Sequence, residues 1–360
     1  MPVKKKTSEK LLLPTQGIVL ADMEPIGRIP TGIAPFDLYT GGGIPEGTTS
    51  LLTGVEGSGK STTAIRAIAG FQKMYPDKSV FYVNAENKLD PQWIKTHGGN
   101  PQKVAVFFPS TTEEAQYLIR EVATQRDDVG LVIVDSLAAL CPERESEAEP
   151  NEEQMGIAAR LNNKFMRQLT SIQLSLFQKK RSLTVILINQ ERESLKLYGG
   201  TVIPGGKGQR FHAALWCKFL KSENKVDMKL QVPISTTIRF VLIKNIGNPS
   251  QWPGQADMCI TPHSKWKPGQ FMDHEFVWLW GTQRLPLLRN RGTKGYEYQS
   301  LFLPKKDWIA KWEDDPVAYA QAKQDLHILF QKWINGEIKE NFIEPDDYTE
   351  VQQEGEMGEG

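Results

Sequence analysis

Eight consecutive residues, Gly54-Val55-Glu56-Gly57-Ser58-Gly59-Lys60-Ser61, follow the pattern G-x-x-x-x-G-K-[ST], between the apolar run Ser50-Leu51-Leu52-Thr53 and a stretch of helical periodicity. Holding phosphates needs residue types in this order. Glycines let successive backbone N–H groups turn inward on the oxygens, the lysine reaches the β- and γ-oxygens, and the hydroxyl of the next residue completes a Mg²⁺ shell. Glu56, Gly57, Ser58, Gly59, Lys60, Ser61 and Thr62 are therefore read as binding residues, with Ser61 also a metal ligand. A carboxylate that holds magnesium belongs at the end of an apolar strand, and Leu131-Val132-Ile133-Val134 runs into Asp135-Ser136. Glu86, ending the segment VFYVNA, has the placement of a base that activates an attacking water. Taken alone, a strand-end glutamate is ordinarily a surface residue.

These groups need a scaffold that gathers strand ends. Segments rich in Val, Ile and Leu (TTSLLTG, VFYVN, VAVFF, LVIVD and TVILIN) alternate with helix-like segments from about residue 49 to 190. That alternation predicts an α/β fold with a mainly parallel twisted sheet flanked by helices. Helices are expected after Lys60, from near Thr112 behind the capping-box-like TTEE, over about Met155 to Phe177, and over Pro316 to Trp333. After about residue 210, LWCKFL, MKLQV and TTIRFVLIK read as alternating strands that add antiparallel members. The expected division is a short N-terminal oligomerisation arm (1–29), a core (30–264), a small α+β C-terminal domain (265–336) and an acidic disordered tail (337–360). Glycine- and proline-containing stretches at Tyr39–Gly47, Cys141–Gln154 and Gly199–Gly208 interrupt the core as candidate functional loops.

The chain has 360 residues, 39% hydrophobic and 24% charged, enough for one large domain and a smaller one. No run approaches the ~18 apolar residues of a membrane span, and Lys4, Lys5 and Lys6 lead into mixed polar residues, so a cytoplasmic protein without membrane contact is expected. Cys141, Cys217 and Cys259 lack metal-site or disulfide-framework spacing. The formal net charge of +0 conceals an asymmetry, because Glu337 to Gly360 holds nine acids against Lys339. A positive body with a separable acidic tail points to a polyanion partner whose access the tail screens, although a solvated terminus fits equally.

The segments TGIAPFDLYTGGGIPEG, GVEGSGKST, NAENKLDPQW, VDSLAAL, MGIAAR and LINQ occur in the order and spacing of the RecA-type recombinases, including their phage relatives. Over about residues 30 to 260 the chain thus resembles that family. The resemblance implies a RecA-like P-loop ATPase core with ATP and Mg²⁺ as cofactors, in the host cytoplasm for a phage-encoded member. It makes Glu86 the catalytic base and Gln190, beside Lys60, a γ-phosphate sensor that communicates with the second DNA-binding loop. Lys244 would act across the subunit boundary. Trp93 would stack on adenine, with Asp90 near the exocyclic amine. For DNA, it assigns Met155 and Leu195 as wedges between base triplets, Arg160, Arg167 and Arg192 to phosphates, and Gly205 and Gly206 as backbone donors. The implied partners are single-stranded DNA, double-stranded DNA and further copies in a helical homo-oligomer. Gly17-Ile18-Val19-Leu20 is expected to add as an edge strand to the adjoining subunit, with Phe211 an interface aromatic.

Two departures stand out. The first loop holds Glu143, Glu145, Glu147, Glu149, Glu152 and Glu153 against Arg144, and the family's K-N-K is here Lys244-Asn245-Ile246. Trp266, Trp278, Trp280, Trp308, Trp312 and Trp333 are expected to build the core of the small domain rather than stack on duplex DNA. The function expected from the resemblance is homologous recombination and repair: a filament on single-stranded DNA that performs pairing and strand exchange with DNA-dependent ATP hydrolysis. A ring-forming, helicase-like motor and a nucleotide-binding mediator share the same core and remain open.

Overall fold

The computed structural model describes residues 25–143, 152–193, 201–206, 208–229, 231–262 and 265–338. The expected edge strand Gly17–Leu20, the acids Glu145, Glu147 and Glu149, the wedge Leu195 and the tail beyond residue 338 lie outside them.

Chain order begins with β1 (Arg28–Ile29), α1 (Ala34–Thr40) and β2 (Ile44–Pro45), followed by β3 (Thr49–Gly54), α2 (Lys60–Met74), β4 (Ser79–Asn84), α3 (Pro91–Thr96) and β5 (Val104–Phe107). Next come α4 (Thr112–Gln125), β6 (Val129–Asp135), α5 (Glu152–Gln178), β7 (Thr184–Gln190), the short ladder β8 (Arg192–Glu193) with β9 (Thr201–Val202), and α6 (Gly208–His212). Three long strands follow, β10 (Leu215–Asp227), β11 (Val232–Asn245) and β12 (Trp252–Cys259). The last part holds α7 (His274–Leu279), β13 (Arg289–Asn290), β14 (Tyr296–Tyr298), β15 (Leu301–Leu303), α8 (Lys305–Asp314) and α9 (Pro316–Ile334).

Unbroken apolar runs are stable only when both strand faces are covered. They form a sheet of 8 strands in the order β12-β11-β10-β3-β7-β6-β4-β5, parallel from β10 to β5 and antiparallel from β10 to β12. Consecutive residues feed opposite layers. Leu52, Ile133 and Ile186 pack with Ile65, Ile68 and Phe71 of α2, whereas Leu51, Val132 and Val185 pack with Ile119 of α4 and Phe165 and Leu169 of α5. The N-cap half of the expected capping box is present, with Thr111 Oγ1 accepting from Glu114 N at 3.1 Å, while Glu114 Oε2 accepts from Ser110 N, one residue before the cap, at 2.7 Å.

One strand expectation is corrected. MKLQV is not a separate strand among the described residues: Met228 and Lys229 sit in the turn after β10, Leu230 lies outside the described residues, and Val232 opens β11. Asp227 Oδ1 accepts from Lys229 N at 2.8 Å, a side-chain turn that competes with the ladder, and Gln231 takes a left-handed φ of 55°.

Trp308 and Trp312 are each 1% exposed and pack with Trp278, Leu326 and Phe330 in a third cluster. That cluster includes Ala34 and Leu38 of α1, so packing crosses the boundary expected at residue 264. A buried carboxylate fixes the junction. Asp273, 4% exposed, accepts from Ala34 N and from Tyr319 Oη, both at 2.7 Å.

Replacing Asp273 with Ala leaves both donors without an acceptor and is expected to lower stability by about 3 kcal/mol, measured by urea unfolding. His97 gives a pH signature. It is 1% exposed, with neither ring nitrogen hydrogen-bonded among the described residues, and burial aided by the nearby Arg66 pushes its pKa down to about 4. The unfolded chain binds the proton at the ordinary 6.5, so this contribution is lost as pH falls from 6.5 toward 4. The wild type should therefore lose about 2 kcal/mol relative to a His97→Leu variant between pH 7 and pH 5, read from paired urea unfolding curves.

Candidate active site

The loop between β3 and α2 is set by glycines. Gly54 has φ 147° and a Cβ there would lie 2.2 Å from the Phe219 carbonyl oxygen; Gly59 has φ 96° and its Cβ would lie 2.8 Å from Ile238. Lys60, 5% exposed, folds back on the loop, donating from Nζ to Gly54 O at 3.0 Å, Val55 O at 2.5 Å and Ser58 Oγ at 3.3 Å. Burial holds its pKa below the ordinary lysine value, opposed by Asp135, Glu86, Glu191 and Glu56. An ammonium resting on neutral carbonyls among these carboxylates is well placed to exchange them for phosphate oxygens.

Strand register brings the other groups alongside. Gly54 lies opposite Gln190 and Asn84 opposite Asp135. Asp135 Oδ2 accepts from Tyr82 Oη at 2.7 Å. Burial raises the Asp135 pKa, while the Tyr82 and Ser61 hydroxyls oppose that rise by hydrogen bonding to it. Glu86 joins the neighbouring strand ends: its Oε1 accepts from Ser136 Oγ and from Gln190 Nε2, both at 2.7 Å. Its Oε2 pairs with Lys88 Nζ at 3.2 Å, and Lys88 also reaches Glu56 at 3.1 Å. Burial works to raise the Glu86 pKa, but the bonds from Ser136, Lys88 and Gln190 outweigh it and hold the carboxyl below its ordinary value. Glu86 is thus an ionised acceptor beside the loop.

The donor set fits nucleotide and magnesium. A hydroxyl and a carboxylate, Ser61 and Asp135, are hard oxygen ligands of the kind Mg²⁺ accepts when phosphate oxygens and water complete its shell. A cavity of about 200 Å³ borders Gly57 to Thr62 and is walled by Ser222, Thr236, Ile238 and Met258 from the β10–β12 ribbon. Ser222 Oγ is buried there without a hydrogen-bond partner among the described residues. Asp90 and Trp93 are not in that wall. Asp90 caps α3 by accepting from Gln92 N at 2.7 Å, and Trp93 stands edge-on to His97 with ring centroids 4.4 Å apart.

The candidate DNA residues form a second group. Met155 lies in the first turn of α5, and Arg160 and Arg167 are exposed further along it, with exposed Lys164 between them. Gly205 and Gly206 have φ 83° and 82°, and a Cβ on them would meet Asn162 Nδ2 at 2.4 Å and Ala159 Cβ at 3.0 Å. They therefore lie against the turn of α5 that carries Arg160. Arg192 falls in β8, paired with Val202. Lys244 stands apart from the phosphate loop: it faces Trp216, which faces Leu51 three residues before Gly54, and its Nζ donates to Phe211 O at 3.0 Å. Phe211 is 76% exposed.

Sequence reasoning missed the partners. Lys88, Ser136 and Tyr82 flank the assigned residues, but only the fold shows that they bind Glu86 and Asp135. Asn189 and Gln209, each 0% exposed, join β7 to the end of the second loop. Asn189 Nδ2 donates to Pro204 O and to Gln209 Oε1, both at 2.9 Å, and Gln209 Nε2 donates to Pro204 O at 2.6 Å and Gly206 O at 3.1 Å. Buried Glu191 pairs with Lys218 at 2.9 Å while its N–H donates to Gly54 O at 3.0 Å. The signals available were the polar pairs Asn189-Gln190 and Gln209-Arg210, interrupting apolar or glycine-rich runs.

Residues 17–255 match the model of the RecA N-terminal domain family. Among curated proteins, RecA of Thermus aquaticus is 34% identical over 220 residues, 60% of this chain and 62% of that one. RecA of Corynebacterium urealyticum is 32% identical over 228 residues, 62% of this chain and 59% of that one. The chain thus spans about three fifths of the length of the curated relatives it matches. A crystal structure of the RadB recombinase superimposes with a TM-score of 0.46 at 21% identity, over 64% of this chain and 96% of that one.

Gln209→Leu removes the acceptor of the Asn189 amide in a sealed environment. It is expected to lower stability by about 2 kcal/mol in urea unfolding while leaving nucleotide affinity at the loop unchanged.

Proposed function

The chain belongs to the RecA-type recombinase family, and from that membership we propose that it is a DNA-dependent ATPase that assembles on single-stranded DNA and pairs it with a homologous duplex in recombination and repair, in the cytoplasm. The observation that carries this reading is the Glu86 carboxylate, bonded to Ser136 and Gln190 at the mouth of the phosphate loop. A base that is ionised and already bonded to a neutral amide suits a site where one group activates water and the other reports what occupies the γ-position.

Each residue then has a task. The loop amides from Glu56 to Thr62 hold the phosphates, and Lys60 turns from the loop carbonyls to the β- and γ-oxygens. Ser61 and Asp135 would hold Mg²⁺, which would supply charge neutralisation for those oxygens. Glu86 takes a proton from the attacking water. Gln190 turns from Glu86 toward the γ-phosphate and carries that displacement along β7, whose Asn189 grips the second loop. Asp90 and Trp93 close on the adenine. Arg160, Arg167 and Arg192 neutralise phosphates of single-stranded DNA, Met155 and Leu195 part its bases, and Gly205 and Gly206 offer amide donors. Duplex DNA is the second substrate, selected by base pairing.

In the proposed assembly Lys244 acts at the loop of an adjoining copy, a reading supported by its register opposite Trp216 at the level of Leu51. Among the described residues β5 ends the sheet with one edge unpaired, which Gly17–Leu20 of another copy would fill. Among the described residues no helix is long and apolar enough to cross a membrane.

Negative-stain microscopy of the chain with single-stranded DNA and a slowly hydrolysed ATP analogue tests the reading. A helical filament is expected; closed rings or no assembly would overturn it. Glu86→Gln is expected to slow ATP hydrolysis by ~10²–10⁴-fold with ATP binding retained, measured by phosphate release and by nucleotide titration. Normal turnover in that variant would remove Glu86 from the mechanism.

A further inference from the structure

Lys88 touches two carboxylates at the mouth of the phosphate loop, and no step of the proposed hydrolysis uses it. Its Nζ lies 3.2 Å from Glu86 Oε2 and donates to Glu56 Oε1 at 3.1 Å, so the ammonium stands between the strand-end acid and the loop itself. The side chains of Lys88 and Glu56 are 64% and 77% exposed, whereas that of Glu86 is 15% exposed. Ion pairs so open to water add little to stability, and the placement calls for another reason than holding the fold.

The backbone is built to present this lysine. Asn87 takes a left-handed φ of 53°, which asparagine tolerates better than most residues, and Lys88 N donates to Asn84 Oδ1 at 3.2 Å. Asn84 is 4% exposed and pairs in register with Asp135, so a buried amide ties the turn after β4 to the sheet edge. A fixed root with a long flexible stem lets Nζ move while its backbone stays beside the site.

Charge then decides where Nζ can go. Asp135, Glu86, Glu191 and Glu56 all act on Lys60. Of these, Glu191 is paired with Lys218 and Asp135 accepts from Tyr82, which leaves Glu56 and Glu86 to Lys88. A triphosphate entering the loop adds negative charge to this set. Glu86 is also heavily engaged: Oε1 accepts from Ser136 and Gln190, and a cation on Oε2 competes with water for that oxygen. An ammonium leaves a carboxylate at low cost only toward another anion, and ATP differs from ADP in offering one beside the base, the γ-phosphoryl group.

We infer that Lys88 is a γ-phosphate contact that this chain supplies to its own loop: on ATP entry its Nζ exchanges Glu86 and Glu56 for a γ-phosphoryl oxygen, which clears Glu86 Oε2 for the attacking water. The inference rests on the ATP-hydrolysing reading of the loop and adds to it a residue that tells triphosphate from diphosphate. In turnover the water oxygen bonds to the γ-phosphorus as the bond to the bridging oxygen breaks; ADP keeps that electron pair, Glu86 takes the proton, and Lys88 remains an ammonium throughout.

The test is calorimetric titration of Mg²⁺-ADP and of a slowly hydrolysed Mg²⁺-ATP analogue into the full chain, beside kcat from phosphate release with single-stranded DNA present. Lys88→Ala is expected to weaken the analogue about tenfold or more, to leave ADP affinity within about twofold of the wild type, and to lower kcat about tenfold or more, with melting temperature unchanged. Lys88→Arg, which keeps the charge, should recover most of the analogue's affinity. Equal weakening of both nucleotides would overturn the inference and leave Lys88 a charge that screens the loop acids. An unchanged preference for the analogue in Lys88→Ala would overturn it as well. A wild type that binds neither nucleotide would overturn the ATPase reading and this inference together, so the two failures are told apart by the wild-type titration.

Discussion

Parallel pairing is the constraint on which the site depends. Because β3, β7, β6 and β4 run the same way, their C-terminal ends emerge on one edge, as ligand sites in open α/β sheets require. Register then fixes which residues meet. Gly54 is set against Gln190 and Asn84 against Asp135, so that Glu86, two residues past Asn84, can accept from Gln190 and Ser136 together. Nothing local to Glu86 specifies that meeting. The specification comes from burial: Leu51 and Leu52, Val132 and Ile133, Val185 and Ile186 serve opposite layers, and a slip of one residue would exchange every pair.

The antiparallel half of the sheet imposes a different demand on the same loop. Glycines in a phosphate loop are usually explained by inward-turning amides, and Gly57, with φ 68° and open space around its would-be Cβ, needs only that explanation. Gly54 and Gly59 carry a second requirement, since β10 and β11 press Phe219 and Ile238 where their side chains would be. The ribbon thus forms the wall of the pocket and fixes the loop conformation. The register that brings Phe219 to Gly54 also leaves Lys244 beside Trp216, at the level of Leu51. One sheet therefore both builds a loop and withholds a cation from it.

How much of this was legible depends on whether a residue announces itself through its neighbours in sequence. Gly54 to Ser61, Glu86, Asp135 and Gln190 each follow an apolar run that has to be a buried strand, so their common edge could be read from the pattern alone. The sheet and its helices followed from the same periodicities, whereas the expected tryptophan core holds for Trp278, Trp280, Trp308, Trp312 and Trp333 but not for Trp266, which stands outside that cluster. MKLQV was misread because its alternation resembles a strand, while the Asp227 turn that decides the matter is a hydrogen bond between side chain and backbone. Lys88, Ser136, Asn189 and Gln209 were illegible for a deeper reason. Each matters through a partner far away in sequence, and polar residues of these types sit more often on surfaces than in sealed contacts. Ala34 and Leu38 likewise gave no sign that they complete the cluster of Trp308 and Trp312.

In the proposed function, the end of β7 would give a γ-phosphate sensor a short path to the second loop. Side chains alternate along a strand, so Gln190 and Asn189 point to opposite faces of the sheet. The first is bonded to Glu86 on the phosphate side, the second to Pro204 and Gln209 at the root of the second loop. In the proposed function a displacement of Gln190 toward a γ-phosphate would change the backbone that Asn189 shares, and Asn189 is 0% exposed with its amide nitrogen bonded to Pro204 O and Gln209 Oε1. Close packing converts such a shift into movement of the partner rather than absorbing it. Gly205 and Gly206, lying against α5 beside Arg160, are the next bodies in contact. The proposed coupling between phosphate and loop would thus span two adjacent residues and one buried glutamine.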